Sequence, residues 1–433
     1  MKKRTTLLLL VLVFGMFLTT SAETWAAEPV TINFWHSMGS GVNGQAVKDL
    51  VKRFNETNGQ DITVVETYQG NYNDCSAKLM QSIAAGTNPE VAMLDRGLVP
   101  QYAPYGVLAD MLPFAERDGF DIDDFVPGLM EFSWIDGALV SLPFNRSTPV
   151  LYYNKAAFAE VGLDPERPPQ TWDELFEYAG KLTTVENGET TRYGFSMVID
   201  TGWFLCAMVG QQGGRTIDES GEKVLYIEDG TALKALEFWR KLADSGYYRI
   251  PATTSAGTVM MQDFYQGKLA MMYQSTGNMS GILKNTEGMG AFDVGVAFLA
   301  GEKQREVPTG GANVVMFDNF SDRQKEAAWE FIKFATSPEE AALFSVATGY
   351  VPTRYAAVES EVIKELWAEH PQYEVAFNQL EFARDTWGSP YWWEFNSMVN
   401  KVVSRLIQDR SITPQQAVDQ IAEEASWLFP GNM

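Results

Sequence analysis

The sequence predicts an α/β protein of two lobes, and three observations predict it. At 433 residues the chain is longer than a single hydrophobic core ordinarily organises. Its first hundred residues alternate β-branched runs with amphipathic helical spacing, and the same rhythm restarts after residue 170. Between the two regions lies Ser141-Leu-Pro-Phe-Asn-Arg-Ser-Thr-Pro-Val-Leu-Tyr-Tyr-Asn-Lys155. Pro143 and Pro149 forbid a helix there, while residues 150–153 have strand composition. Such a stretch could carry the chain from one lobe to the other, leaving Asn145, Arg146 and Ser147 in the gap. It could equally be an edge strand with a polar bulge.

The elements follow in order. Residues 31–35 read as a strand, and 45–55 as a helix whose Val47, Leu50, Val51 and Phe54 share one face. Residues 62–67 form the next strand, 74–85 a helix stopped by Gly86, and 91–94 a short buried strand. This alternation implies a parallel sheet covered by helices, with ligands bound beyond the carboxyl ends of its strands. A helix over 155–161 ends at Gly162. Thr171 and Glu174 have the spacing of a capping box and open a helix through residue 182. Strands are expected at 193–198, 270–273, 294–299 and 313–317. Helices are expected at 203–211, 231–245, 261–267 and 323–336, with a largely helical chain from 337 onward.

The N-terminus has the form of an export signal. Lys2, Lys3 and Arg4 precede an apolar run over residues 7–18, too short to span a bilayer. Small residues around Ala22 and Ala26 offer a cleavage site, and no cysteine stands there to take a lipid anchor. No later apolar run suits a membrane helix, so a soluble, exported protein is expected. The formal charge of -23 makes nucleic acid and anionic membranes poor partners, but leaves a small anionic ligand possible. Cys75 and Cys206 could pair in an oxidising compartment; their spacing does not suit a metal or redox motif.

Catalytic patterns are sparse. With His36 and His370 as its two histidines the chain offers no histidine-rich metal cluster, and it has no nucleophile elbow, P-loop or H-E-x-x-H motif. Gly39-Ser-Gly-Val-Asn-Gly44 has the spacing of a dinucleotide fingerprint, with Glu66 ending the next strand. Residues 35–38 separate it from its strand, however, where that motif needs a tight turn, so a flexible glycine loop and no cofactor are expected. A paired-carboxylate glycosidase stays open at this point. More telling is a set of aromatic and polar residues at strand ends in both halves: Trp35, His36, Tyr72, Asp95, Ser147, Trp203, Ser275, Gly310-Gly311 and Tyr350. Each alone reads as a core aromatic or a turn residue. Together they suit a sugar or polyol, whose C–H faces pack on rings while its hydroxyls bond to carboxylates.

Specific segments carry a family resemblance: Phe34-Trp-His-Ser-Met38, Tyr68-Gln-Gly-Asn-Tyr72, Pro143 to Lys155, Gly162-Leu-Asp-Pro-Glu166, Thr348-Gly-Tyr-Val-Pro352 and Thr413-Pro-Gln-Gln-Ala417. In these the chain resembles the periplasmic sn-glycerol-3-phosphate-binding proteins of ABC importers, within the sugar-type extracellular solute-binding proteins. The resemblance implies a two-lobed periplasmic-binding-protein fold with hinge strands and a ligand cleft between the lobes. It divides the chain into a signal peptide (1–26), lobe 1 (27–146), lobe 2 (147–297), a return to lobe 1 (298–345), and a helical C-terminal part of lobe 2 (346–433). It implies a monomeric, periplasmic, non-enzymatic protein that hands its ligand to membrane permease subunits. The ligand contacts carried over by position are Tyr72, Asp95, Ser147, Trp203, Ser275, Gly311 and Tyr350. The family has glutamate where Asp95 stands.

A larger departure concerns the anion. The family's phosphate-binding arginine falls in a segment that here reads Asp385-Thr-Trp-Gly-Ser-Pro-Tyr-Trp-Trp393, with no arginine in register. Arg96, Arg146 or Arg384 could replace it, and Trp35, His36 and Trp387 are further possible contacts. The expected ligand is therefore sn-glycerol 3-phosphate or a glycerophosphodiester, whose choline an aromatic cage would suit; a neutral sugar, oligosaccharide or polyol is the alternative.

Overall fold

The structure, a computed structural model, describes residues 29–39, 41–251, 255–289, 292–384 and 389–432. The expected signal segment and Trp387 lie outside the described residues. Twelve strands are described: β1 (Val30–His36), β2 (Ile62–Tyr68), β3 (Val91–Asp95), β4 (Trp134–Ile135), β5 (Ala138–Leu139), β6 (Leu142–Ser147), β7 (Pro149–Asn154), β8 (Thr184–Glu186), β9 (Glu189–Ser196), β10 (Leu269–Ser275), β11 (Val294–Ala297) and β12 (Gly310–Met316). β4 and β5 form a small hairpin. The other ten build two five-stranded sheets, in the orders β2-β1-β3-β12-β6 and β11-β7-β10-β9-β8.

In the first sheet β1 runs parallel to β2 and β3, as the alternating pattern predicts. The helix Val42–Thr57 buries Val47, Leu50, Val51 and Phe54 against it. The helix Tyr72–Ala85 opens with a reciprocal capping box between Asn71 and Asp74 and closes at Gly86 in the left-handed conformation. β12 and β6 depart from the parallel expectation: both are antiparallel to their neighbours. In the second sheet β7 lies between β11 and β10 and is antiparallel to both. Each sheet carries its own apolar core. One centres on Phe34, Phe54, Trp329 and Phe331, the other on Phe195, Trp239, Tyr273 and Phe395.

The proline-punctuated stretch joins the two sheets. β6 belongs to the first and β7 to the second, with Thr148 alone between them. The stretch thus crosses between lobes, and β6 is also the edge of its sheet. Thr148 is fully buried and is held by Thr276, just past β10 of the second sheet, and by Pro308, on the passage that leads into β12 of the first. Its amide bonds to Thr276 Oγ1 at 3.2 Å, its carbonyl accepts from the Thr276 amide at 3.0 Å, and its hydroxyl donates to the Pro308 carbonyl at 3.2 Å. A further passage lies at Val351, whose amide donates to the Arg146 carbonyl at 2.9 Å. Short extended passages tied side by side permit rotation about one line, which suits a hinge.

Candidate ligand-binding cleft

The carboxyl ends of β3 and β10 face each other across the gap between the lobes, and local capping orients the side chain at each end. Asp95 ends β3, where its Oδ1 accepts from the Gly97 amide at 2.9 Å and caps the turn Arg96–Leu98. Ser275 ends β10, where its Oγ accepts from the Gly277 amide at 3.1 Å and caps the turn Thr276–Asn278. A third cap builds the opposite wall. Asp200 accepts from the Trp203 amide at 3.2 Å and opens the turn Thr201–Leu205, which presents the Trp203 ring. The side chains thus stand where an open α/β sheet binds its ligands.

These elements enclose a cavity of ≈ 450 Å³, a size suited to a small polar molecule. Tyr72, Asp95, Ser147, Trp203, Ser275, Gly311 and Tyr350 all line it. Strand alternation explains Ser147: along β6, Asn145 and Ser147 share one face and Arg146 takes the other. Asn145 Nδ2 donates to the Tyr72 hydroxyl at 2.8 Å, and the Tyr350 hydroxyl donates to Met38 Sδ at 4.0 Å, fixing one wall. Gly311 has φ 88°, and a Cβ there would fall 1.8 Å from the Asn145 carbonyl oxygen, so the close approach of β12 to β6 requires glycine. Gly310 does the same for Trp203: a Cβ would fall 2.2 Å from Cζ2 of that ring. Trp203 therefore reaches from the second lobe onto the first sheet.

Burial raises the Asp95 carboxyl to about 6, against the opposing pull of Arg96, the Gly97 amide and Arg146. Asp200 is raised as well, first by burial, and the two carboxylates repel one another. Burial likewise raises Tyr72 and Tyr350, which keeps both hydroxyls protonated as donors.

The other candidates fall elsewhere. Arg146 is fully buried and braces the crossing: Nε donates to the Gly310 carbonyl at 3.1 Å, Nη2 to Thr309 Oγ1 at 2.7 Å and Nη1 to Asn313 Oδ1 at 3.0 Å. Arg96 is also buried, ion-paired with Glu131 and bonded through Nε to the Thr309 carbonyl. Arg384 is exposed, and its amide pairs with the Val307 carbonyl outside the lining. His36 is buried with Nε2 2.7 Å from Glu66 Oε2, and burial lowers its pKa. Trp35, on the opposite face of β1, packs into a core cluster with Leu79 and Leu94. None of these five lines the cleft. The two cysteines are buried in separate core clusters and are not joined to each other.

The lining also holds residues that the sequence reading missed: Asp200, Gln274, Trp392, Trp393 and Asn396. Asp200 lies four residues beyond the end of β9 and, like Asp95, precedes a glycine by two positions. The helix Trp392–Ser404 is tied to the Asp200 turn, since Thr201 Oγ1 bonds to Asn396 Oδ1 at 2.6 Å. Among the described lining residues two carboxylates and several aromatic rings stand without a lysine or arginine. The segment 385–388, outside the described residues, reads Asp-Thr-Trp-Gly and supplies no cation either.

Ser147→Ala tests one contact. Loss of one hydroxyl bond costs about 1 kcal/mol of binding, or roughly fivefold in Kd, with an unchanged urea midpoint. An unchanged Kd by calorimetry would remove Ser147 from the contact set.

Comparison with known proteins gives concordant findings. The family model for bacterial extracellular solute-binding proteins matches residues 49–373. The sn-glycerol-3-phosphate-binding periplasmic protein UgpB of Salmonella paratyphi A is 29% identical over 445 aligned positions, covering 96% of each chain. Its counterpart in Brucella suis is 28% identical over 385 positions, covering 85% of this chain and 87% of that one. The crystal structure of Mycobacterium tuberculosis UgpB in complex with glycerophosphocholine superposes with a TM-score of 0.81 at 26% identity, covering 92% of this chain and 98% of that chain. A Listeria monocytogenes ABC substrate-binding protein in complex with cycloalternan shares the fold, with a TM-score of 0.80 at 22% identity and coverage of 92% and 99%.

Proposed function

Because the chain belongs to the bacterial extracellular solute-binding proteins, the ligand-capturing components of ABC importers, we propose that it captures a glycerophosphodiester in the cleft between its lobes. The glycerol end lies against Tyr72, Asp95, Ser147 and Tyr350, with Trp203 and Ser275 closing from the other lobe. Contacts to both lobes favour the closed state, and the closed surface engages the permease. The mature protein acts as a periplasmic monomer after loss of residues 1–26 and captures its ligand without catalysing a reaction.

One observation carries the choice of ligand: the described lining presents the carboxylates of Asp95 and Asp200 and no cation. A phosphomonoester brings close to two negative charges into that field, whereas a diester brings one and spreads its bulk over aromatic surface. The same lining favours a neutral sugar as the second reading, since rings and carboxylates also serve hydroxyls. Calorimetric titration with glycerophosphocholine, sn-glycerol 3-phosphate and maltose separates these. The diester is expected to bind at least about tenfold more tightly than the monoester, one such repulsion costing on the order of 1.4 kcal/mol. Tighter binding of the monoester would overturn the charge argument, and binding of maltose alone would establish the second reading. Release of free sugar from a glycoside during incubation would reveal a hydrolase instead.

A further inference from the structure

Behind Asp95 lies a buried charged layer that does not line the cleft. Arg96, the next residue, is fully buried, and its guanidinium pairs with the Glu131 carboxylate, whose side chain is 2% exposed. Arg96 Nε donates to the Thr309 carbonyl at 2.8 Å, and Arg146, on β6, reaches the same residue through Nη2 and Thr309 Oγ1 at 2.7 Å. The segment that delivers Glu131 is held on both sides. The Leu129 carbonyl accepts from Arg146 Nη1 at 2.5 Å, and the Phe132 carbonyl accepts from Ser141 Oγ at 3.1 Å. Phe132 itself sits at φ 59°, in the left-handed region that a bulky side chain rarely adopts. Glu131 is thus the counter-ion of Arg96, at a place fixed by its neighbours. Both guanidiniums act on the cleft through Asp95: burial raises that carboxyl, Arg96 is the strongest of the groups that pull it back, and Arg146 adds to the pull.

We propose that Glu131 is a specificity-determining residue of the cleft: by neutralising Arg96 it keeps the floor beneath Asp95 from attracting doubly charged anions. The inference rests on the reading of the cleft as the capture site. An arginine does not shed its charge by losing a proton, so the field of a buried guanidinium is cancelled by a neighbouring anion. Around Asp95 the carboxylates of Asp95, Asp200 and Glu131 outnumber the guanidiniums of Arg96 and Arg146 by one. Without Glu131 the same groups would be neutral overall, and a second negative charge on the ligand would meet far less repulsion. Such a field acts through low-dielectric protein, so Glu131 selects without touching the ligand. Stability is a weaker reason for the pair, because a buried ion pair contributes little beyond what apolar side chains of the same volume would.

The test is calorimetric titration of the mature protein, Glu131→Gln, Glu131→Asp and the double variant Arg96→Gln with Glu131→Gln. The ligands are glycerophosphocholine and sn-glycerol 3-phosphate at neutral pH. The quantity read is the ratio of the two Kd values, because a change in packing alone weakens both ligands together. Glu131→Gln is expected to move that ratio about tenfold toward the monoester, the scale of one uncancelled charge acting across roughly 10 Å at an effective dielectric constant of about 20. Glu131→Asp keeps the charge and should keep the wild-type ratio. The double variant removes both charges and should stay within about twofold of the wild-type ratio, and it decides the matter where Glu131→Gln, with its unpaired guanidinium, fails to fold. A wild-type ratio in folded Glu131→Gln overturns the proposal. So does a shift in Glu131→Asp as large as that in Glu131→Gln, or a larger shift in the double variant. If neither ligand binds the wild type, the capture reading itself fails, and the proposal falls with it; that outcome is distinct from a ratio that stays constant between measurable affinities.

Discussion

Asp95→Asn is expected to stabilise the ligand-free protein at neutral pH while costing it most of its ligand affinity. The sign follows from the folded-state pKa, which burial raises to about 6 from the ordinary 3.8. Between those two values the folded protein holds a proton that the unfolded chain has released, so stability falls as pH rises through the window. Above pH 6 the full penalty is present, on the order of 3 kcal/mol for a shift of about two units. Asparagine removes it and keeps an acceptor for the Gly97 amide. Urea unfolding at pH 7.5 should show the variant more stable than wild type, with the difference shrinking toward pH 4. Binding moves the other way, because a charged acceptor contributes about 1.5–3 kcal/mol to a hydrogen bond, or roughly 10- to 150-fold in Kd. A variant less stable than wild type at pH 7.5 would recast Asp95 as the counter-ion that Arg96 and Arg146 need.

Trp203→Ala should weaken binding by about 1–3 kcal/mol, the cost of losing one aromatic contact in a desolvated site. The ring comes from the second lobe, yet its Cζ2 lies where a Cβ on Gly310 of the first sheet would clash. Its removal therefore takes away a ligand face and a contact between lobes at once. Trp203→Phe should recover part of the loss, since a smaller ring retains the face but not the reach. Affinity within twofold of wild type for Trp203→Ala would return that ring to the core.

The fold was legible where periodicity is strong. Phe54 and its helix partners, the Gly86 stop, and the prolines of residues 141–155 each state a local geometry that tertiary packing has no reason to override. The antiparallel placement of β12 was not legible, because direction within a sheet is set by the route of the chain between lobes and not by local pattern. The β8–β9 hairpin begins before the predicted strand because Thr184–Glu186 is short and polar, and it pairs only through its partner. At Thr171 the cap forms as expected, while the Glu174 carboxylate accepts from the Gln170 amide at 2.7 Å, one residue short of the reciprocal bond that the spacing suggests.

The cleft was legible through family position more than through physics. Tyr72, Asp95 and Ser147 stand at strand or helix ends, a weak signal that gains force only when both lobes supply it. The substitute arginines misled because charge alone cannot show which way a side chain points. Arg146 alternates with Asn145 and Ser147 on one strand, so if its neighbours face the ligand it must face away. Asp200 and Trp392 escaped notice because their approach depends on the bond between Thr201 and Asn396, which are distant in sequence.

Ligand bound between the lobes is expected to draw them together. Small-angle X-ray scattering of the mature protein, ligand-free and saturated with the tightest glycerophosphodiester, tests it most directly. A smaller radius of gyration and a shorter maximum dimension are expected on saturation, both reversed by dialysis. An unchanged radius of gyration in a sample shown by calorimetry to be saturated would contradict it.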